Sequence, residues 1–373
     1  MSLSTSRSRR ARRAALATAA AVAVLAGVGG RADAHGSGHD DGARTVYTLS
    51  NAAAGNEVLA FVPGAGGLVA AGHTASGGQG TGGGLGSQGA LALDEDGRRL
   101  VVVNAGSDDL SLFAVRKDGS LRLLDRVASG GDKPVSVAVH DDTVYALNSG
   151  DDTISGFRLR DRSLQAIAGS TRHLSGSGGA QVSFTSSGRQ LVVTEKATNT
   201  IDVFPVERGG TPGAPRSNAS VGATPFGFAF DEHNHLIVSN AAGGAAGASS
   251  VSSYTVRRDG SLKVLDGPVA TTQSAACWVA IAGPYAYTTN TASGTVSGLR
   301  LGENGALSLL DPSGVAAATG TTPIDAATAG GSLYTLNTGS HTITVHAIAA
   351  DGSLSAQGAA TGLPTGAVGL AVR

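Results

Sequence analysis

The chain has 373 residues, of which 15% are charged and 4% aromatic, and its formal net charge at neutral pH is −1. Cys277 is the only cysteine, which excludes an internal disulfide. The 56 glycines and the scarcity of aromatic residues favour many short strands with tight turns over long helices.

The N-terminus has the features of a secretory signal peptide. Residues 7–13 contain five arginines, residues 14–28 form an apolar run, and Ala32-Asp33-Ala34 is an A-x-A cleavage site. The apolar run is shorter than the roughly 20 residues of a membrane-spanning helix. We therefore predict a signal peptide over residues 1–34, a flexible mature N-terminus over residues 35–44, a secreted or periplasmic protein, and no membrane anchor. Arg12-Arg13 leaves twin-arginine export open as an alternative route.

The remaining residues carry more acidic than basic groups. Residues 35–373 contain 27 acidic and 21 basic side chains, which argues against nucleic acid as a partner. We expect a monomer.

One pattern recurs from Thr45 to the C-terminus at intervals of about 48 residues. Its clearest part is a β-rich run ending in a polar marker residue, and successive markers are separated by 53, 44, 46, 46, 50 and 47 residues. Seven markers predict seven repeats. They are Asn51, Asn104, Asn148, Thr194, Asn240, Asn290 and Asn337.

Each repeat contains four predicted strands. A second alternating strand follows the marker, a turn such as Asp118-Gly119-Ser120-Leu121 opens the outer strand, and a run of small and branched residues forms the innermost strand. This pattern predicts an all-β, seven-bladed β-propeller over residues 45–373, with four antiparallel strands per blade. The first repeat lacks an innermost strand, so we expect the spare C-terminal strand, residues 367–372, to close the ring by joining blade one. The glycine-rich stretches 64–86 and 241–250 are predicted to be loops or flexible insertions.

The candidate site is the mouth of the central channel, where the innermost strands begin. Trp278 could stack on a planar ligand there or pack in the core, and Asp325 is the one carboxylate of the predicted inner ring. Glu195 directly follows a marker, beside Lys196, and is predicted to be either a general acid or base or part of a surface ion pair. No metal site and no cofactor are expected. The predicted inner ring consists of Ala90, Ser136, Gln181, Gly227, Trp278, Asp325 and Gly369.

Residues 45–373 resemble the lactonase-like seven-bladed propellers, the family of 6-phosphogluconolactonase and 3-carboxymuconate cyclase. Residues 178–195 are similar to a family segment of the form G-P-R-H-x-x-F, followed by D-G-R and a strand ending in N-E. The resemblance implies an active site lined by the Arg, the His and the Glu of that segment. Here Ala180 stands at the Arg and Gln181 at the His, and only Glu195 carries over. A glutamine cannot take up a proton near neutral pH, and an alanine supplies no charge.

Two hypotheses remain. In the first, the protein opens a lactone ring, or forms one as a cyclase: Glu195 activates water, Gln181 orients the substrate, and Lys133 or Lys196 balances charge. In the second, the propeller binds without catalysis and presents the channel mouth to a small molecule or to another exported protein. The ligand-binding residues are then predicted to be Trp278, Lys133, Lys196 and Asp325.

Overall fold

A computed structural model describes residues 44–373. This range contains 30 β-strands and one turn of 3-10 helix, Ala242–Gly244. The predicted signal peptide and residues 35–43 of the predicted flexible N-terminus lie outside the described residues. Between residues 44 and 373, no helix has the length and apolar character that a membrane span requires.

The strands form seven separate antiparallel sheets, which confirms the predicted seven-bladed propeller. Blade one contains β1 (Val46–Leu49), β2 (Glu57–Gly64), β3 (Gly67–Ala75) and the C-terminal β30 (Val368–Val372). Blade two contains β4 (Leu91–Leu93), β5 (Arg99–Asn104), β6 (Asp109–Val115) and β7 (Leu121–Ala128). Blade three contains β8 (Pro134–His140), β9 (Thr143–Asn148), β10 (Thr153–Arg160), β11 (Ser163–Ala166) and β12 (Arg172–His173).

The other four blades follow the same order from the channel outwards. Blade four contains β13 (Gly179–Phe184), β14 (Gln190–Glu195), β15 (Thr200–Pro205) and β16 (Arg216–Ala219). Blade five contains β17 (Pro225–Phe230), β18 (His235–Asn240), β19 (Ser250–Val256) and β20 (Leu262–Ala270). Blade six contains β21 (Ala276–Ala282), β22 (Tyr285–Asn290), β23 (Thr295–Leu301), β24 (Leu307–Leu309) and β25 (Ala317–Ala318), and blade seven contains β26 (Pro323–Ala329), β27 (Ser332–Asn337), β28 (Thr342–Ile348) and β29 (Leu354–Thr361).

The ring closes as the sequence predicts. Strand β30 pairs antiparallel with β1, with Val372 opposite Val46, and supplies the innermost strand that the first repeat lacks. In blades three and six the outer strand is split into two short pieces, β11 with β12 and β24 with β25. Each sheet then has two edges, its outermost strand and the channel-facing side of its innermost strand.

One prediction about the glycine-rich stretches is wrong. Residues 64–86 were expected to form a loop, yet strand β3 (Gly67–Ala75) lies within them and is the outer strand of blade one. Its backbone pairs with β2 along its whole length, from Gly64 opposite Gly67 to Glu57 opposite Ala75. An outermost strand needs little side-chain burial, so a composition of small residues did not prevent its formation. Residues 241–250 contain the 3-10 turn and otherwise connect β18 to β19, as expected for an insertion.

The core lies between neighbouring blades. In the interface of blades four and five, Val192 and Val203 pack against Phe228 and Leu236, and all four side chains are buried. Full burial of each such side chain stabilises the fold by about 1.5–3 kcal/mol. Buried tyrosines add hydrogen bonds between blades, because each hydroxyl donates to a glycine carbonyl in a turn of the next blade. These pairs are Tyr47 with Gly119, Tyr145 with Gly210, and Tyr287 with Gly352.

Candidate functional site at the upper mouth of the channel

The innermost strands place one residue each at a common height near the upper mouth, which we define as the end of the channel where these strands begin. Gln181, Trp278 and Asp325 each lie opposite the penultimate residue of the next strand in their blade. The register agrees with the repeat alignment for six of the seven predicted ring residues: Ala90, Ser136, Gln181, Gly227, Trp278 and Asp325. Gly369 lies instead within a register shift where β30 meets β1, with φ +75°.

The Gln181 side chain joins two blades. Its Oε1 accepts a hydrogen bond from the Phe228 backbone N–H at 2.7 Å, and its Nε2 donates to the Phe228 carbonyl at 2.9 Å. The amide thus pairs with the innermost strand of blade five as another strand would. Both polar ends of Gln181 are committed to the fold.

The position of Glu195 within the repeat differs from the prediction. Glu195 is the last residue of β14 and lies opposite Thr200, as Asn148 lies opposite Thr153 in blade three. The true marker of blade four is therefore Glu195 and not Thr194, because blade four carries a glutamate where five other blades carry asparagine. Glu195 does not occupy an extra position after the marker.

The Glu195 carboxyl group is fully buried inside blade four. Its Oε2 accepts a hydrogen bond from Thr198 Oγ1 at 2.7 Å, while within residues 44–373 no donor reaches its Oε1. Burial, followed by a hydrogen bond to the Asp202 carboxylate, raises the pKa of Glu195 to about 8. At neutral pH Glu195 is therefore protonated and donates to Asp202. It forms no surface ion pair with Lys196.

Trp278 is packed in the core at the channel mouth, with 4% of its surface exposed. Its ring lies 5.0 Å from the Phe226 ring, and the two belong to an apolar cluster with Ala180 and Cys277. Of the two alternatives predicted for Trp278, the structure supports packing in the core. Ala180 itself is fully buried, so the position that the resemblance assigns to an arginine is closed by apolar side chains.

Asp325 is also buried, with 2% of its surface exposed. Its Oδ1 accepts a hydrogen bond from the Ala326 backbone N–H at 2.8 Å, and burial raises the pKa of this carboxyl group well above its usual range. Burial therefore disfavours the charged form of Asp325.

A long connection between blades one and two lies across this mouth. The other outer strands connect to the next innermost strand through four to six residues, whereas β3 connects to β4 through the 15 residues 76–90. Ser76-Gly77-Gly78 matches Ser129-Gly130-Gly131 of the following connection. The last glycine of each segment lies against a marker asparagine. Compared with that connection, residues 81–87 are extra. We call residues 81–88 the plug segment.

Gln88 of the plug segment reaches across the channel to the far side of the ring. Its Nε2 donates to the Val279 carbonyl at 2.8 Å, and its Oε1 accepts from the Val279 N–H at 3.1 Å. Its own backbone N–H donates to the Ala180 carbonyl at 3.0 Å. A Cβ on Gly227 would clash with Gln88 Oε1, so this crossing requires the glycine in blade five.

Ser87 and Gly86, the two residues before Gln88, are held by blades three, four and six. Trp278 Nε1 donates to the Ser87 carbonyl at 2.8 Å, and Ser87 Oγ donates to the Val135 carbonyl at 2.8 Å. The Lys196 ammonium group donates to the Gly86 carbonyl. The plug segment thus fills the mouth and contacts blades three to six.

Lys196 is the cation of this site. Its Nζ lies 5.0 Å above the centre of the Phe226 ring as well as against Gly86. Burial lowers the pKa of Lys196, with a smaller lowering from the nearby charge of Lys133. Lys133 is exposed, and its backbone N–H donates to Asp108 Oδ1. The structure therefore brings Lys196 and Trp278 into contact with the plug segment, with Gln181 bonded to blade five and Lys133 at the rim.

One group of the described residues could hold a metal ion, on the lower side of the propeller. Glu95, His140 and Asp141 each offer one ligand atom within 4.8 Å of the others. His140 Nδ1 lies 3.1 Å from Glu95 Oε1, and both carboxylates are largely exposed. This group is separate from the plug and from every residue that the sequence singled out.

Sequence reasoning missed Gln88, Ser87 and Gly86. A signal for them was present, because the first marker spacing of 53 residues is the longest of the six and contains the repeated Ser-Gly-Gly. The spacing indicates an insertion, but it does not indicate that the insertion turns into the channel.

Comparisons with known proteins agree with the fold. A family model described as "Lactonase, 7-bladed beta-propeller" matches residues 9–166, and the described part of that match covers blade one's first three strands, blade two and blade three as far as β11. No curated protein matches the sequence.

Several solved structures share the architecture. A periplasmic gluconolactonase from Pseudomonas aeruginosa superimposes with a TM-score of 0.66 at 16% identity, covering 88% of this chain and 99% of that chain. A candidate 6-phosphogluconolactonase from Bacteroides fragilis has a TM-score of 0.71 at 18% identity, covering 89% and 98%. A protein from Lactobacillus plantarum has a TM-score of 0.73 at 16% identity, covering 89% and 99%. At such identities the likeness concerns the fold.

Proposed function

We propose that this chain, which belongs to the lactonase-like seven-bladed β-propellers, is an exported binding propeller that does not open lactone rings. The observation that carries the proposal is the plug segment. Gly86, Ser87 and Gln88 occupy the mouth where the family resemblance places the active site, and hydrogen bonds from blades three, four and six hold them there. A substrate and the plug segment cannot occupy this space together.

The residues around the plug support the same proposal. A lactonase site needs a group that exchanges protons and a group that stabilises developing negative charge. Ala180 supplies neither, and both polar ends of Gln181 pair with Phe228. The Glu195 carboxyl group is buried inside blade four and hydrogen-bonded to Thr198 and Asp202, so it has no free path to a water molecule in the channel.

The ligand of such a propeller would be a small molecule or an exported protein that contacts the exposed rim of the upper mouth, at Lys133 and residues 81–84 of the plug segment. The alternative is a lactonase in which the plug segment moves aside and Glu195 acts as acid or base. A lactonase would require Glu195 to reach the channel, whereas a binding propeller requires only the exposed rim around Lys133 and the plug segment.

Turnover separates the two. Protein recovered after expression of the full-length chain is assayed against a panel of aldonolactones and aromatic-derived lactones, beside Glu195→Gln and Lys196→Met variants. We expect hydrolysis at the rate of buffer alone for all three proteins. Saturable hydrolysis that disappears in Glu195→Gln would establish the lactonase instead.

Export is part of the proposal and has its own test. The basic stretch, apolar run and A-x-A site of residues 1–34 motivate it. N-terminal sequencing of the protein from the periplasm or medium is expected to begin at His35. Recovery in the cytoplasm with an intact N-terminus would contradict export.

A further inference from the structure

We propose that Glu95, His140 and Asp141 form a binding site for one Zn²⁺ ion on the lower side of the propeller, where the ion links blade two to blade three. One ligand atom from each residue lies within 4.8 Å of the others. The site is separate from the upper mouth, so the inference goes beyond the proposed function and does not depend on it.

The three ligands come from equivalent turns of neighbouring blades. Glu95 lies in the turn between β4 and β5, whereas His140 is the last residue of β8 and Asp141 begins the turn to β9. Adjacent blades place these turns side by side, although Glu95 and His140 are 45 residues apart in the chain. Such a separation is about one repeat and far exceeds the spacing within local zinc motifs, which is why the sequence predicted no metal site.

The turn of blade three fixes the backbone of two ligands. His140 pairs with Thr143, so the turn consists of Asp141 and Asp142 alone. Asp141 has φ +49°, a left-handed conformation that aspartate adopts more readily than most residues. The carboxylate of Asp141 is thus held next to the imidazole of His140 by the geometry of a two-residue hairpin.

Packing against blade four orients the imidazole of His140. Its ring centre lies 5.5 Å from that of Phe184. A Cβ on Gly188 would come within 2.1 Å of His140 Cδ2, so the ring occupies space that a glycine leaves open. The His140 side chain is 23% exposed, compared with 63% for Glu95. A ligand whose orientation is already fixed loses less conformational freedom when the ion binds.

The two carboxylates are not neutralised by arginine or lysine within residues 44–373. Their ion-pair partner is His140, whose Nδ1 lies 3.1 Å from Glu95 Oε1 and whose Nε2 lies 3.8 Å from Asp141 Oδ2. Asp142, the next residue of the turn, is instead paired with Arg158. Glu95 and Asp141 therefore keep negative charge that a bound cation would balance.

The donor set indicates Zn²⁺. Imidazole nitrogen suits Zn²⁺ and its neighbours among the transition metals, whereas Ca²⁺ and Mg²⁺ are bound by oxygen ligands. Zn²⁺ lies about 2.0–2.2 Å from nitrogen and carboxylate ligands, which sets two ligand atoms about 3.4 Å apart in a tetrahedral site. Rotation of the exposed Glu95 and Asp141 side chains is enough to reach that spacing. Three protein ligands leave the fourth position to water or to an exogenous ligand.

The site has an entry path from solvent, as a metal site requires. Asp141 lines a cavity of about 750 Å³ between blades two and three. Its side chain is 77% exposed. A hydrated ion can therefore reach the ligands without any movement of the blades.

Zn²⁺ titration of the metal-free protein is the experiment. Protein recovered after expression of the full-length chain is stripped with EDTA and followed by calorimetry and thermal unfolding. We expect saturable binding and a higher unfolding temperature with Zn²⁺, because the ion joins two blades only in the folded state. Ca²⁺ at the same concentration should raise the unfolding temperature less. Binding by His35 and His39, which precede the described residues, would persist in every variant below.

Removing single ligands tests the assignment. Glu95→Gln and Asp141→Asn each remove a ligand charge with little change of size, and asparagine tolerates the left-handed backbone of residue 141. Each should weaken Zn²⁺ binding at this site by about tenfold or more and reduce the rise in unfolding temperature. Co²⁺ is the second probe, because its visible absorption reports nitrogen ligation, and the part of this absorption that belongs to the site should disappear in His140→Asn.

Blade five offers the matched control. Glu232 and His233 lie in the equivalent turn, both exposed and 3.8 Å apart, but no third ligand joins them among the residues that the structure describes. The double variant Glu232→Gln with His233→Asn should bind Zn²⁺ as the wild type does. Equal binding by the wild type, Glu95→Gln and Asp141→Asn would mean that the group is an ion pair only, and the proposal would be wrong.

Discussion

Glu195 lies where five other blades have asparagine, and its hydrogen-bond partner Asp202 lies where those blades have serine or threonine. In each of the five, the asparagine Nδ2 donates to the hydroxyl on the neighbouring strand, as Asn148 does to Ser155. In blade four a protonated carboxyl group replaces the amide donor and a carboxylate replaces the hydroxyl acceptor. Asp202 in turn accepts from the Ser175 N–H and Oγ at 2.7 and 2.6 Å. Blade four thus differs from those five blades at two positions, Glu195 and Asp202, and keeps the hydrogen bond between them.

This carboxyl pair predicts that stability falls as pH rises. The pKa of Glu195 is raised from 4.5 to about 8 in the folded chain, mainly by burial. Between these two pH values the folded state holds a proton that the unfolded state releases, so the free energy of unfolding decreases with increasing pH. Glu195→Gln keeps the donor without the titration and should be more stable than the wild type by on the order of 1–3 kcal/mol at pH 8, with little difference at pH 4.5. Thermal unfolding at both pH values checks this.

The double variant Glu195→Asn with Asp202→Ser restores the pair found in the other blades and serves as a control for the same site. It should also lose the pH dependence that belongs to Glu195. Asp325, whose pKa is raised by burial in the same direction, contributes a residual decrease with pH that neither variant removes. Equal slopes of stability against pH in the wild type and both variants would contradict the assignment.

Tyr287→Phe is predicted to weaken the interface between blades six and seven. The hydroxyl of Tyr287 donates to the Gly352 carbonyl at 2.7 Å, and its removal leaves that buried acceptor without its donor. We expect a loss of about 1–3 kcal/mol in the free energy of unfolding by denaturant. Tyr334→Phe is the matched control, because Tyr334 is equally buried and makes no side-chain hydrogen bond within residues 44–373. A similar loss in both variants would mean that the hydrogen bond is not the cause.

Restoring the family's pair should not restore lactone turnover. Ala180→Arg with Gln181→His places a cation in a fully buried apolar cluster and removes both hydrogen bonds to Phe228. An unpaired buried charge and two unpaired backbone groups are each costly, so the variant should be less stable by more than about 3 kcal/mol. The lactone panel and denaturant unfolding are the measurements. Turnover by a stable double variant would show that the site needs only these two residues.

Gly227→Ala should expel Gln88 from the channel. The added Cβ would clash with Gln88 Oε1 and also with the Cys277 carbonyl oxygen at 2.5 Å, so both the plug segment and the backbone of blade six must shift. We expect Trp278 emission to shift to longer wavelength and thermal stability to fall. Gly84→Ala, within the plug itself, has open space at its Cβ position and should change neither property. An unshifted spectrum in Gly227→Ala would show that the plug and the glycine are not coupled.

The repeat allowed much of the architecture to be predicted from single residues. Strand alternation and the Asp-Gly-Ser turns are local features, and Gly119, Gly260 and Gly352 all adopt the positive φ that such turns need. Inner-strand register also followed, because the innermost runs share a small residue near their end, from which the ring positions could be counted back. The one-residue error at Glu195 arose because the repeat there uses a different residue type to make the same hydrogen bond.

The sequence by itself determined the seven blades, the closing strand and the loss of the family's arginine and histidine at Ala180 and Gln181. Only the tertiary structure decided that the mouth is filled, that Trp278 is buried, and that Glu195 points into its blade. The physical reason is the range of the contacts involved. Blade strands pair with near neighbours in the chain, whereas Gln88 and Val279 are 191 residues apart and belong to no shared period. Such a contact exists only after the ring has closed around it.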